Sequence, residues 1–301
     1  MSRWLKAHIL LVLVTFVWGA TFVQIKNALT DISPLLFNAV RMTLAAAVLG
    51  LIYRKEIAAM SAPALRAGLL VGTFLALGYE FQTTGLKLTT PSKSGFLTGV
   101  SVLLVPVFLV LFWRRRVKMW TATGVTSTFI GLYLLTVPAD SQKAWIGDFS
   151  SVNLGDVLTA ICAVCFAFQI ILLGRATQRH PFEQIAFLQT ATSAGLMFAL
   201  APVFERPQAV WSSKVLWAIL VTGILGTAVA FTIQAWAQQF LPPTNTALIF
   251  SLEPVFAWLT SYVVLGERLG LRAAIGAVLI LAGVLASEVL GGTVEVREPA
   301  G

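Results

Sequence analysis

Charge is scarce in this chain. Charged residues make up 11% of its 301 positions, whereas a soluble domain carries about 25%, so the molecule cannot cover itself in water. Histidine is scarcer still, with His8 and His180 both at the ends of apolar runs. A buried Ser–His nucleophile, or a His–carboxylate cluster for metal chemistry, therefore has nothing to be built from, and no enzyme is expected. The only cysteines, Cys162 and Cys165, form a CxxC inside an apolar run. A structural zinc site needs about four ligands, and no second pair accompanies them, so they read as small core residues. No metal and no cofactor are expected. A GxxxxGK[ST] phosphate loop is absent, which excludes direct drive by ATP. The net charge of +8 is spread through short connections, with no basic domain and no nucleic-acid-reading motif, so no nucleic acid partner is expected. The first apolar segment runs long and carries "WGATF" where a cleavable signal would show small residues, so it reads as a retained helix.

What the chain has in abundance is apolar sequence, 57% of it, with a mean hydropathy of +0.85. Runs long enough to cross a bilayer, about 20 residues each, recur at 8–25, 34–53, 67–87, 93–113, 119–137, 155–174, 184–203, 215–236, 245–265 and 272–290. This pattern predicts an all-α integral membrane protein with ten transmembrane helices. With the N-terminus inside, the first five spans place Arg3, Lys6, Arg54, Lys55, Arg66, Arg114, Arg115, Arg116 and Lys118 on the cytoplasmic side. Only Lys26, Lys87 and Lys93 then fall outside. The positive-inside rule favours that orientation. The second half is mixed, with Arg175, Arg179 and Arg297 inside and Lys143, Arg206, Lys214, Arg268 and Arg272 outside. A multi-pass protein of the inner (cell) membrane with both termini cytoplasmic is expected, and the bilayer is its first partner.

The sequence also repeats itself. "PLLFNAVRMT" (34–43) aligns with "PFEQIAFLQT" (181–190), and "PVF" occurs at 106–108 and 254–256. Gly72 precedes Pro91 by the same interval as Gly223 precedes Pro242, and "GVTSTFIG" (124–131) matches "GAVLILAG" (276–283) in its glycine spacing. These matches divide the chain into 1–140, a polar extracytoplasmic linker 141–153, a second repeat 154–290 and a cytoplasmic tail 291–301. Five spans per repeat is an odd number, so the halves face opposite ways. That is the inverted arrangement of secondary transporters, whose substrate site lies near mid-membrane between the repeats.

Ionisable residues inside spans are costly and usually face the bundle interior. Three stand out: Arg41, Glu80 and Glu253. From the helical rise, Arg41 lies about 10 Å below the outer surface and Glu80 about 20 Å from the inner one. In a core of about 30 Å these depths coincide, so the two are expected to pair. Glu253 has no basic residue three or four positions away, and Pro254 beside it removes an amide proton and kinks the helix. A carboxylate at a broken helix suits the lining of a water-filled cavity. Pro106 repeats the kink in the first half, with Val105 in place of the carboxylate. Thr73, Glu80, Thr84 and Lys87 fall on one helical stripe, with Tyr79 beside it, and Ser94, Thr98 and Ser101 on another. In the first span Thr15, Trp18 and Phe22 share a face, with Trp18 away from the interfacial belt where Trp normally sits. Gly19 equally permits close helix packing. Gln169, Gln189 and Gln234 are candidates for interhelical hydrogen bonds. The substrate pathway is thus assigned to Trp18, Arg41, Tyr79, Glu80, Thr98, Gln169 and Glu253, with helix kinks at Pro106 and Pro254.

"FVWGATF" (16–22), "AVRMTLAA" (39–46), "EFQTTGLKLTTPSKSGFL" (80–97) and "LIFSLEPVFAWLTSYVVLGERL" (248–269) resemble the drug/metabolite transporter superfamily, specifically its ten-helix EamA-type members. The resemblance implies two inverted five-helix repeats around a central cavity, and a secondary transporter exporting small organic metabolites such as amino acids. Related four-helix members carry a proton-coupling Glu in the first helix. "HILLVLVTFVWGATF" has none, so coupling to protons or to a counter-substrate stays open. The rivals are a membrane-embedded enzyme and a channel for small solutes.

Overall fold

In the computed structural model, residues 1–89, 91–137, 152–265 and 270–290 are described. Among them every regular element is helical, with one isolated bridge between Ile32 and Ala209. The first helix, α1 (Arg3–Ala28), starts where the Ser2 hydroxyl accepts from the Leu5 amide. Next, α2 (Pro34–Ile52) opens on a proline, whose missing amide proton costs nothing in a first turn. A short α3 (Arg54–Ala58) leads into α4 (Ala62–Leu88), capped by the Ser61 side chain. One apolar run then divides into α5 (Pro91–Gly99) and α6 (Ser101–Trp113), followed by α7 (Met119–Thr136). A capping box between Asn153 and Asp156 starts α8 (Leu154–Thr177), and α9 is Phe182–Phe204. The next run is α10 (Ser213–Gly223), a π-helical segment Ile224–Val229 and α11 (Ala230–Ala237). It is followed by α12 (Pro243–Phe250), α13 (Glu253–Leu265) and α14 (Leu271–Leu290).

Eight helical segments among the described residues are long and apolar enough to cross a membrane, α5–α6 and α10–α11 each counting as one. Among the described residues the fold is all-α and built from helices of membrane-spanning length. The two remaining runs expected to span are occupied by α7 and by the interrupted pair α12–α13. The expected linker 141–153 lies outside the described residues except for its last two positions, and the tail 291–301 lies outside them entirely.

The most extensive helix contacts join helices before residue 137 to helices after residue 152. The pair α7 and α14 packs most extensively, α4 lies on α8 and α9, and the α10–α11 run lies on α1 and α2. The α7–α14 crossing is made by glycine. A Cβ on Gly131 would fall 2.6 Å from the Gly276 carbonyl oxygen, and one on Gly276 2.5 Å from that of Gly131. Gly124 and Gly283 stand in the same reciprocal relation. In lipid, where apolar side chains gain nothing by leaving the solvent, such backbone approach supplies the packing that holds helices together.

The two ends of the bundle differ. Where α1 begins, Ala7 and Leu11 pack with Ala237, Leu241 and Ile249. His8 Nε2 lies 2.7 Å from a Glu288 oxygen that also accepts from Asn245 Nδ2 at 2.9 Å. At the opposite end, the loop after α1 is fastened to the loop before α10. The Ser33 and Val210 amides donate to the Gln208 and Asp31 carbonyls, and Lys214 pairs with Asp31 at 2.9 Å. Lys214, with help from the Ser212 hydroxyl, holds the Asp31 carboxyl below the usual carboxylate range. A depressed pKa stabilises the fold above the unfolded value, and that contribution fades as pH falls through the folded one. The pair is exposed, so its worth is small.

Substituting Gly131→Leu forces a side chain into the Gly276 backbone, and overpacking of this kind costs about 1–3 kcal/mol. The melting temperature in detergent should fall, whereas Gly195→Ala, where a Cβ meets nothing within 4 Å, should melt like the wild type. Equal melting of all three proteins would show that the glycine crossing does not hold the bundle.

Candidate functional site

Three interrupted helices converge on one cavity of about 460 Å³. The first break, at Gly99–Val100, brings Thr98, Gly99 and Ser101 to its wall. The second is the π-helical segment, whose Gly226 lines it. The third, at Ser251–Leu252, turns Ser251, Glu253 and Pro254 inward. A π segment interrupts the regular ladder and leaves backbone groups in need of partners. Here the Gly226 carbonyl accepts from the Trp18 indole Nε1 at 2.8 Å, joining α1 to the second half of the chain. The wall reaches Ile25 in the last turn of α1 and Thr136 at the end of α7, so the cavity extends away from the end carrying the N-terminus.

Glu253 is the first residue of α13, where the positive end of the helix dipole favours a carboxylate. Its side chain is half-buried and lines the cavity, with no cation of the described residues in ion-pair contact. Pro254 stands in the first turn of α13, so it follows a break and does not bend a continuous helix. The helix α1 crosses immediately beside it. A Cβ on Gly19 would sit 2.7 Å from the Glu253 carbonyl oxygen and 2.8 Å from the Ala257 nitrogen. In "WG", Trp18 lines the cavity and Gly19 lets two backbones approach closely.

Arg41 is 3% exposed and lines the same cavity. Its guanidinium carbon lies 4.3 Å from the Tyr79 ring centroid, a cation–π distance, and its Nε has no partner. The expected Arg41–Glu80 ion pair is not formed. Matching depth brought the two close, but adjacent residues on a helix point about 100° apart. Tyr79 takes the direction toward Arg41 and the cavity, and Glu80 turns toward α2. There Glu80 accepts a long 3.4 Å hydrogen bond from Asn38, whose amide also donates to Thr83 at 3.0 Å and to the Tyr79 carbonyl at 3.3 Å. Glu80 is absent from the cavity wall, and Oε2 of its carboxyl has no partner. The polar stripe through Thr73 and Thr84 likewise misses the wall; Tyr79 and Gln82 are the lining residues of α4.

The remaining expectations divide. Thr98 lines the cavity, accepts from Gln82 Nε2 at 3.4 Å and lies 3.7 Å from the Cys162 sulfur. Gln169 also lines it and joins an amide cluster, donating to Gln189 at 3.0 Å and accepting from Gln234 at 3.3 Å. Pro106 is buried within α6, away from the wall, and the break comes earlier, at Gly99–Val100. Thr15 is buried against the Leu11 carbonyl, and the Phe22 side chain lies outside the described residues. Cys162 and Cys165 are buried free thiols.

Sequence reasoning named Trp18 and Tyr79 of the aromatic wall and missed Phe166, Phe231, Phe250 and Trp258. Phe250, Trp18, Phe231, Tyr79 and Phe166 form a continuous chain of ring contacts with centroids 4.9–6.1 Å apart. Trp258 adds an indole nitrogen with no partner. Its spacing of four from Pro254 was a signal, since such residues share a helical face. The other rings look no different in the sequence from aromatics that face lipid. The site thus presents one guanidinium, one carboxylate, several amides and hydroxyls, and a large apolar surface. That inventory can bind and orient a small polar molecule.

Comparison with known proteins agrees. The EamA-like transporter family model matches residues 5–137 and again 153–287. An uncharacterized transporter of Archaeoglobus fulgidus is 32% identical over 93% of this chain and 85% of its own. The uncharacterized transporter YoaV of Bacillus subtilis is 22% identical over 93% and 95%. A WAT1-related protein of Arabidopsis thaliana is 24% identical over 92% and 84%. A protein of known crystal structure shares the fold with a TM-score of 0.76 over 95% of this chain and 97% of its own, at 20% identity. With two copies of the family pattern spanning nearly all of its length, the chain belongs to the EamA-like transporter family and is a multi-pass membrane transporter.

Proposed function

We propose that the protein is a secondary transporter that exports small organic zwitterions, amino acids among them, across the inner membrane by alternating access. The observation that carries this is the placement of Arg41 and Glu253 on the wall of one mid-bundle cavity between interrupted helices. A volume of about 460 Å³ falls within the ordinary range for small-molecule sites, about 300–1,000 Å³. Arg41 offers two-pronged donors to a carboxylate, and Glu253 accepts from an ammonium. The aromatic chain from Phe250 to Phe166 receives the remainder of the substrate.

The same reading gives ten membrane helices in two inverted repeats, 1–140 and 154–290, joined by the linker 141–153 and followed by the tail 291–301. It is supported by the doubled family match and by the reciprocal glycine contacts of α7 and α14. Both termini are cytoplasmic, in keeping with the arginines and lysines at the end where α1 begins. The described cavity then faces outward, and the packed cluster around Leu11 closes the cytoplasmic side. A closed end argues for alternating access over an open channel. Glu253, as the carboxylate on the wall among the described residues, is the group through which protons or a counter-substrate would act.

Transport of a panel of labelled amino acids by proteoliposomes tests the reading. Loss of one charge-assisted contact, worth about 1.5–3 kcal/mol, should raise the half-saturation concentration roughly 10- to 100-fold in Arg41→Gln. Glu253→Gln should abolish transport or flatten its pH dependence while the melting temperature holds. Wild-type transport at every pH in both variants would return the two residues to architecture. Topology has its own check, in which K143C on a Cys162- and Cys165-free background is labelled by an impermeant maleimide. Reaction from outside is expected, and reaction only from the cytoplasm would invert the orientation.

A further inference from the structure

A second, smaller cleft lies at the basic end of the bundle and shares no lining residue with the transport cavity. It measures about 140 Å³ and is lined by Arg175, Arg179 and His180, with Leu70, Val71 and Leu172 among its apolar walls. Arg175 closes the last turns of α8, and its guanidinium carbon lies 5.1 Å from the Trp113 ring centroid. Arg179 and Arg115 both lie within electrostatic reach of it. No carboxylate of the described residues is in ion-pair contact with Arg175 or Arg179. Like charges brought together without an acid repel one another, and an external anion relieves that repulsion.

We propose that this cleft binds the headgroup of an anionic diacyl phospholipid. The cations sit where a membrane span ends, at headgroup depth, and basic pockets between helices on that side favour such lipids. The volume is too small for a drug-sized ligand and suits a phosphate held between two guanidinium forks. Above the cations, an apolar column continues toward mid-bundle. Phe168 lies one turn before Leu172 on α8, stacks on Phe108 of α6 with centroids 4.8 Å apart and approaches Phe74 of α4 at 5.1 Å. Phe112 and Leu70 stay more than one-third exposed beside this column, at 56% and 48%. A phosphate between Arg175 and Arg179 therefore has an apolar track for its acyl chain directly overhead, which a free phosphate would not use.

The test is native mass spectrometry of the full chain released from nanodiscs of equal phosphatidylglycerol and phosphatidylcholine. The wild type should retain phosphatidylglycerol in preference. Two neutralised guanidiniums should cut that preference about 30-fold in Arg175→Gln/Arg179→Gln, at about 1 kcal/mol per cation near the surface. Arg179→Gln alone, at an exposed position, should cut it about fivefold and serves if the double variant fails to fold. Arg66→Gln, on the same end but outside the cleft, should leave it unchanged. Equal retention of both lipids by the wild type would overturn the proposal, as would equal loss in Arg66→Gln. Recovery of a second copy of the chain in place of lipid would overturn it too.

Discussion

A backbone carbonyl or amide without a partner costs several kcal/mol in hydrocarbon, so a membrane helix can be interrupted only where protein or water satisfies what the break sets free. That constraint organises this molecule. Its three breaks, at Gly99–Val100, around Gly226 and at Ser251–Leu252, all border one cavity. At the π segment the Trp18 indole donates to the Gly226 carbonyl, which ties α1 to the second break. Uninterrupted helices do the opposite task. The α7–α14 pair is seamed by glycine at four positions, and the broken runs α5–α6 and α12–α13 pack against it.

Charge follows from the same logic. Neither Arg41 nor Glu253 has an ion-pair partner among the described residues, and both line the cavity. Glu80, buried instead in the α2–α4 contact, is left with one long hydrogen bond and an unpartnered oxygen. Aromatic rings line the cavity beside the two charges. Tyr79 belongs to both sets, carrying Arg41 on its face and Phe166 and Phe231 at its edges.

Much of the fold was legible because apolar length is a one-dimensional signal. Every run read from composition is occupied by helix, and the glycines seven apart in 124–131 and 276–283 meet at the α7–α14 crossing. Residues whose placement depends on depth and proline chemistry were legible in part. Glu253 and Pro254 lie at a break that lines the cavity, while Pro106 tolerates its place inside α6 and the break falls instead at Gly99. Rotation about a helix axis was not legible. Depth alone put Glu80 beside Arg41, and one position of rotation gave that place to Tyr79. The π segment was hidden as well, because "ILGTAV" carries no compositional mark of an extra residue in the turn.

The central claim is that two opposite charges across this cavity recognise a zwitterion, and altering the ligand tests it without disturbing the fold. Calorimetric titration of the purified protein with a transported amino acid, its N-acetyl derivative and its methyl ester removes one charge at a time. Each derivative should bind at least tenfold more weakly than the parent, a difference of about 1.4 kcal/mol. The N-acetyl form should regain relative affinity in Glu253→Gln, and the ester in Arg41→Gln. Equal binding of all three ligands would contradict recognition by these two charges.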